Sequence, residues 1–168
     1  MIFDVLKHRW LRLEEQKIKQ MGRDRSISSM DSAIVLYNTD EVPDLTVLKS
    51  WKELLTLKEL TPVGFTSDKK AVARPNEVLL DEGAIKWSGG LASDDLKELL
   101  SKKFDLQINF LNHTTIMQSY VLHALHSKLK VGFPTQEESH YDIAIDVGMK
   151  DVDTFTRELK KYLTIIKN

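Results

Sequence analysis

Residues 33–40 read Ala-Ile-Val-Leu-Tyr-Asn-Thr-Asp, a short apolar run that breaks into three polar residues. A strand with one wet face alternates apolar and polar side chains. An unbroken apolar run marks a strand covered on both faces, and Asn38-Thr39-Asp40 is the turn that ends it. Beyond Pro43-Asp44, Leu48, Trp51 and Leu55 recur at i, i+3 and i+7, one stripe of a helix, with Asp44 placed to accept from the first-turn amides. Pro62 to Phe65 reads as a second short strand and Thr66 to Asn76 as a charged loop. Strand, helix, strand is the crossover unit of a parallel sheet, and it is right-handed.

The unit repeats downstream. Ser93 is an N-cap with Asp94 and Asp95 in the first turn, where negative charge complements the helix dipole, and Leu96, Leu99 and Leu100 form its buried stripe. Phe104 to Phe110 reads as a strand and Thr114 to His126 as a helix burying Met117, Tyr120, Val121 and Leu125. Leu129–Phe133 and Tyr141–Val147 are two further strands. The connection between them, Pro134 to His140, is shorter than the dozen residues of a parallel crossover, so one antiparallel edge strand is expected. The last helix, behind an Asp151 cap, aligns Val152, Phe155, Leu159, Tyr162, Leu163 and Ile166. Val78–Leu80 and Ala84–Trp87 fit either a hairpin or irregular extended chain. The expected fold over residues 32–168 is thus α/β: a three-layer Rossmann-like domain whose mostly parallel sheet has about five strands.

Residues 1–25 form a separate basic, amphipathic helix in this reading. Phe3, Leu6, Trp10 and Leu13 are at helical spacing, but Lys17 breaks the stripe, so the helix is expected to dock by half; Gly22 ends it and Arg23–Asp31 is a polar linker. Lys7, Arg9, Arg12, Lys17, Lys19, Arg23 and Arg25 make the arm basic, while Glu14, Glu15 and Asp24 dilute it. Arg9, Trp10 and Arg12 are the candidates for contact with a protein partner or a second copy. Nucleic acid is a weaker alternative, because the net charge of −1 supplies no overall attraction.

The absence of cysteine excludes disulfides, thiolate metal sites and cysteine nucleophiles. With no secretory h-region near the start and no apolar stretch approaching the ~18 residues that span a bilayer, the expected compartment is the cytoplasm.

In open α/β sheets ligands bind beyond the carboxyl ends of the strands. Those ends nominate Asn38, Thr39, Asp40, Ser67, Asn112, His113, Thr114 and Asp146 as ligand-binding candidates, beside Thr66, Asp68, Thr115 and Gly148. The same residue types also simply make turns and cap helices. His123 and His126, three apart on the expected helix, have metal-ligand spacing but no third ligand in view. Gly89-Gly90 lacks the flanking residues of a phosphate loop and reads as a tight turn. Asn112-His113-Thr114 fits a glycosylation acceptor, which carries no meaning in a cytoplasmic protein. No catalytic constellation, metal or cofactor is expected.

Two resemblances accompany this reading. The order of helix, Lys103-Phe104-Asp105-Leu106-Gln107-Ile108-Asn109, helix and Lys130-Val131-Gly132-Phe133 is similar to the N-terminal Rossmann-like half of heptosyltransferase-like glycosyltransferases. Those enzymes hold the nucleotide-sugar mainly on a second domain, so the resemblance implies the fold rather than the reaction. The whole chain, through its basic first helix, the strand ending near Asp40, Ile85-Lys86-Trp87-Ser88-Gly89, Phe104-Asp105-Leu106 and Lys130-Val131-Gly132, resembles a family of small bacterial proteins of unknown function, chiefly from Bacteroidota. Function is then expected from one of three classes. The first is a non-enzymatic interaction module, the second a nucleotide- or sugar-binding protein or minor enzyme using the strand ends, and the third a nucleic-acid binder using the basic arm.

Overall fold

The apolar run at 33–37 lies in the middle of a six-stranded, all-parallel sheet. A computed structural model describes residues 2–42, 44–134 and 141–167, without the side chains of Ile2 and Phe3. The strands are β1 (Ser32–Asn38), β2 (Glu59–Phe65), β3 (Val78–Leu80), β4 (Lys103–Phe110), β5 (His126–Gly132) and β6 (Ile143–Ala144), in the order β3-β2-β1-β4-β5-β6. The helices are α1 (Ile2–Gln20), α2 (Thr46–Leu54), α3 (Asp94–Ser101), α4 (Ile116–Ala124) and α5 (Val152–Lys167).

Alternate residues of β1 serve two cores, which is why the run has no polar interruption. Ala33, Val35 and Tyr37 pack with Leu48 and Trp51 of α2 and Phe155, Leu159 and Leu163 of α5. Ile34 and Leu36 pack with Leu11 of α1, Leu96 and Leu99 of α3, and Met117, Val121 and Leu122 of α4. In the first core Trp51, Phe110, Phe133 and Phe155 form an aromatic cluster with ring centroids 4.9–5.7 Å apart. Within it the Trp51 indole N–H donates to Thr156 Oγ1 at 2.8 Å and ties α2 to α5.

The expected first-turn hydrogen bonds form. Thr46 N donates to Asp44 Oδ1 at 2.9 Å, Leu96 N to Ser93 Oγ at 3.2 Å, and Thr154 N to Asp151 Oδ1 at 3.2 Å.

The expected antiparallel edge strand is not there: β6 runs parallel to β5, with Val131 opposite Ile143 and Gly132 opposite Ala144. A long crossover is needed only when two strands lie alongside over their full length. Here the chain retraces just two residues, so a short loop suffices. Beyond Pro134, the connection that prompted the expectation lies outside the described residues. The sheet reaches six strands because Val78–Leu80 joins the edge of β2. The following Glu82–Ala84 is a single 3-10 turn, and antiparallel pairing among the described residues is confined to an isolated bridge between Ile85 and Leu91.

Two helices differ from expectation. α4 is shorter than Thr114–His126, because Leu125 turns extended (φ −65°, ψ 134°) and His126 opens β5. His123 and His126 therefore do not share a helix. On α1 the buried face is not Leu6–Trp10–Leu13: Leu6 is 41% and Leu13 48% exposed, whereas Leu11 is fully buried and Lys7 nearly so. The docking row is Lys7, Leu11 and Ile18, with Trp10 alongside. A lysine inside that row hides it from an apolar count. Its stem is covered while Nζ donates to the backbone oxygen and carboxylate of Glu82, at 2.5 and 2.8 Å. The side chain of Phe3, the first residue of the expected stripe, is outside what is described.

Candidate functional site

Sheet order reverses between β1 and β4, so the crevice where doubly wound sheets take ligands opens beyond Asn38 and Phe110. The nominated residues all lie at or just beyond carboxyl ends of parallel strands and therefore sit along one rim. They do not converge. Ser67 follows β2 and Asp146 follows β6, four strand spacings away, or about 19 Å. Asp40, Ser67, Asn112, His113 and Asp146 are exposed, and Asn38, Thr39 and Thr114 are half-buried.

At the reversal point the protein fills its own crevice. Asn38 Oδ1 accepts from Gln118 Nε2 at 2.6 Å and Asn38 Nδ2 donates to Glu41 at 3.3 Å. Gln118 and Thr115 form a reciprocal capping box, so these α4 amides are satisfied within the chain. Thr39 donates through N and Oγ1 to the Phe65 carbonyl. The Tyr37 hydroxyl donates to Glu77, and burial with that carboxylate pushes its pKa well above the usual tyrosine range. The first strand-to-helix turn carries Asp40, Glu41 and Asp44 and no glycine. Asp44 is held below the usual carboxylate range by its Thr46 hydrogen bonds. A turn of three carboxylates repels the pyrophosphate that a glycine-rich turn attracts.

α1 turns two different faces to its surroundings. Inward, Trp10 lies 5.3 Å from the Tyr120 ring, and Glu15 accepts from Ser119 Oγ at 2.9 Å and lies 3.2 Å from His123 Nδ1. Gly89 (φ 96°) and Gly90 (φ 101°) form a turn beneath the indole, where a Cβ on Gly89 would come 2.6 Å from Trp10 Cγ. The glycine pair thus seats a tryptophan. Outward, Val5, His8, Arg9, Arg12, Leu13 and Gln16 line a shallow hollow. Of the three partner candidates, Arg9 and Arg12 face solvent and Trp10 faces the protein. A second hollow lies between α2 and α5, around Val47, Leu54, Asp153 and Arg157. Neither hollow touches the strand rim.

A buried polar seam under α4 was not singled out from the sequence. Gln107 Nε2 donates to Asn109 Oδ1 and to the Leu122 carbonyl, both at 2.9 Å, and Ser127 Oγ donates to Gln107 Oε1 at 2.7 Å. Lys130 Nζ donates to the same Leu122 carbonyl at 2.7 Å. Burial, reinforced by Arg23 and opposed by Asp142, brings the Lys130 pKa down to about 7. Beside the seam the Tyr141 ring fills the place of a Gly132 side chain, and burial pushes its hydroxyl up to about 12. The signal was present: Gln107 and Asn109 alternate with Leu106 and Ile108 in a strand flanked by strands on both sides, where a polar row has no route to water.

Among the described residues no cluster of three or more His, Asp or Glu is arranged to hold a metal ion, and no helix is long and apolar enough to cross a membrane. No curated protein and no solved structure matches the chain. A family model matches residues 6–166, nearly the full length, and the chain belongs to that family, the family of unknown function DUF6913.

Proposed function

We propose that the protein is a non-enzymatic interaction module of the bacterial cytoplasm, that its contact surface is the outward face of α1, and that its partner is an acidic, partly apolar protein segment. The carrying observation is the composition of that face. Val5 is 64% exposed, and with Leu6 and Leu13 it stands among His8, Arg9 and Arg12. Single exposed apolar residues are ordinary, but three on one basic stripe make a patch with a chemistry of its own. The acids that dilute the arm in the sequence are engaged elsewhere: Glu15 by Ser119, Glu14 by Lys17 and Asp24 by Ser26. No carboxylate lines the hollow among the described residues. Its described walls come from one helix, which suits a partner surface rather than an enclosed small molecule.

A two-fold contact between copies on this stripe gathers Arg9 and Arg12 of both copies into one patch, and that repulsion favours a different, acidic chain. The strand order is what supports a small-molecule reading, while the filled crevice and its acidic turn weigh against it.

A photo-reactive amino acid at position 13 of the full chain tests the proposal in cells. The expected product is a cross-linked protein that disappears in R9E/R12E while the melting temperature stays unchanged. A product indifferent to that reversal, or one consisting of nucleic acid or a second copy, refutes it.

A further inference from the structure

Lys130 is 5% exposed. Its ammonium donates to the Leu122 carbonyl at 2.7 Å and to the His123 carbonyl at 3.4 Å, both in the last turn of α4, where carbonyls lack helical partners and the helix dipole favours positive charge. Among the described residues no carboxylate bonds that ammonium. Asp142, the nearby one, is committed elsewhere. Its Oδ1 accepts from Arg23 Nη2 at 2.5 Å and lies 3.7 Å from Arg25 Nε, and its Oδ2 accepts the backbone N–H of Lys130 at 2.7 Å.

Among the described residues, the charged and titratable groups around Lys130 come from several neighbouring elements. Arg23 and Arg25 follow α1, Tyr141 and Asp142 precede β6, and His123 belongs to α4 with Glu15 and Lys19 of α1 behind it. On β5 itself Lys128 is paired with Asp105 at 3.2 Å, and β4 contributes the uncharged Gln107 and Asn109. A buried ammonium held by carbonyl oxygens and faced by a guanidinium has its charged form disfavoured twice, by burial and by like charge.

The geometry points to a proton-operated clasp: charged, Lys130 grips the final carbonyls of α4; on losing its proton it slackens that grip, and the seating of α1 on α4 responds. The link to α1 is Glu15, which binds Ser119 and lies against His123 on α4. In the charged state the hydrogen bonds to Leu122 and His123 are charge-assisted and strong. In the neutral state they weaken, and Arg23 loses a like-charged neighbour, which tightens its pair with Asp142.

Heteronuclear NMR of the full chain, following the Lys130 Cε and Nζ signals through a pH titration, tests the clasp. The expected result is a Lys130 midpoint near 7, with the Leu122–Leu125 amides and the Glu15 carboxyl moving at the same midpoint. In K130M the movement in the last turn of α4 should vanish. The clasp is overturned if Lys130 titrates above about pH 9, close to an ordinary lysine. It is equally overturned if the last-turn signals keep their midpoint in K130M, which would make His123 the source. The wild-type titration decides the matter alone should K130M fail to fold.

Discussion

Substituting Lys130 by methionine should change how stability depends on pH, and the structure sets both sign and size. In the unfolded chain Lys130 holds its proton up to about 10.5, whereas in the folded protein it releases it near 7. Between those values the unfolded state binds more protons, so raising the pH favours the folded state, by ~1.4 kcal/mol per pH unit from this one group. Across the whole window the effect is on the order of 5 kcal/mol, an upper figure, because relaxation and water penetration soften the cost of a buried charge. Below pH 7 both states are protonated and the cost is present in full; above about 10.5 it is gone. Methionine has a similar stem and no charge, so its variant lacks this slope. Urea unfolding of both proteins at steps from pH 6 to pH 10 measures the difference directly. The wild-type free energy should climb relative to K130M through that range. Parallel curves would mean that Lys130 keeps an ordinary proton affinity in the folded state, and the reasoning about its surroundings would fail.

Two further predictions concern α1. L11A removes a fully buried side chain and should cost about 2–5 kcal/mol, read as a fall in melting temperature, whereas R9A and R12A on the exposed face should stay within about 0.5 kcal/mol; equal effects would mean that the helix is a detachable arm. G89A should destabilise by more than about 1 kcal/mol, because alanine is strained at φ 96° and its Cβ collides with Trp10; G22A, where a Cβ meets nothing within 4 Å, is the control and should be near neutral.

The central part of the fold was legible because its signals are local. The run at 33–37, the Leu48–Trp51–Leu55 stripe and the strand at 62–65 each follow from neighbouring residues, and crossover handedness joins them without further information. The α5 stripe was legible for the same reason, although Tyr162 at its margin is exposed. What escaped depends on contacts distant in sequence. The direction of β6 rests on how few residues it pairs, and the docking face of α1 on a lysine whose partner, Glu82, lies on the far side of the first crossover. At the rim the residue types were legible and their use was not. Asn38 looked available until Gln118 met it from α4, although Thr115-Ile116-Met117-Gln118 already spells a capping box.

The two outermost strands of the sheet have three and two residues. A border that short presents very few unsatisfied amide and carbonyl groups, so a stray chain docking there gains almost no ladder before it runs out of template. The apolar run of β1 would make the best seed for fibrillar stacking, and it lies at the middle of the sheet with β2 and β4 on either side. Aggregation from the native state is thereby disfavoured by strand order itself: β1 carries neither a charge nor a proline and is shielded by its neighbours.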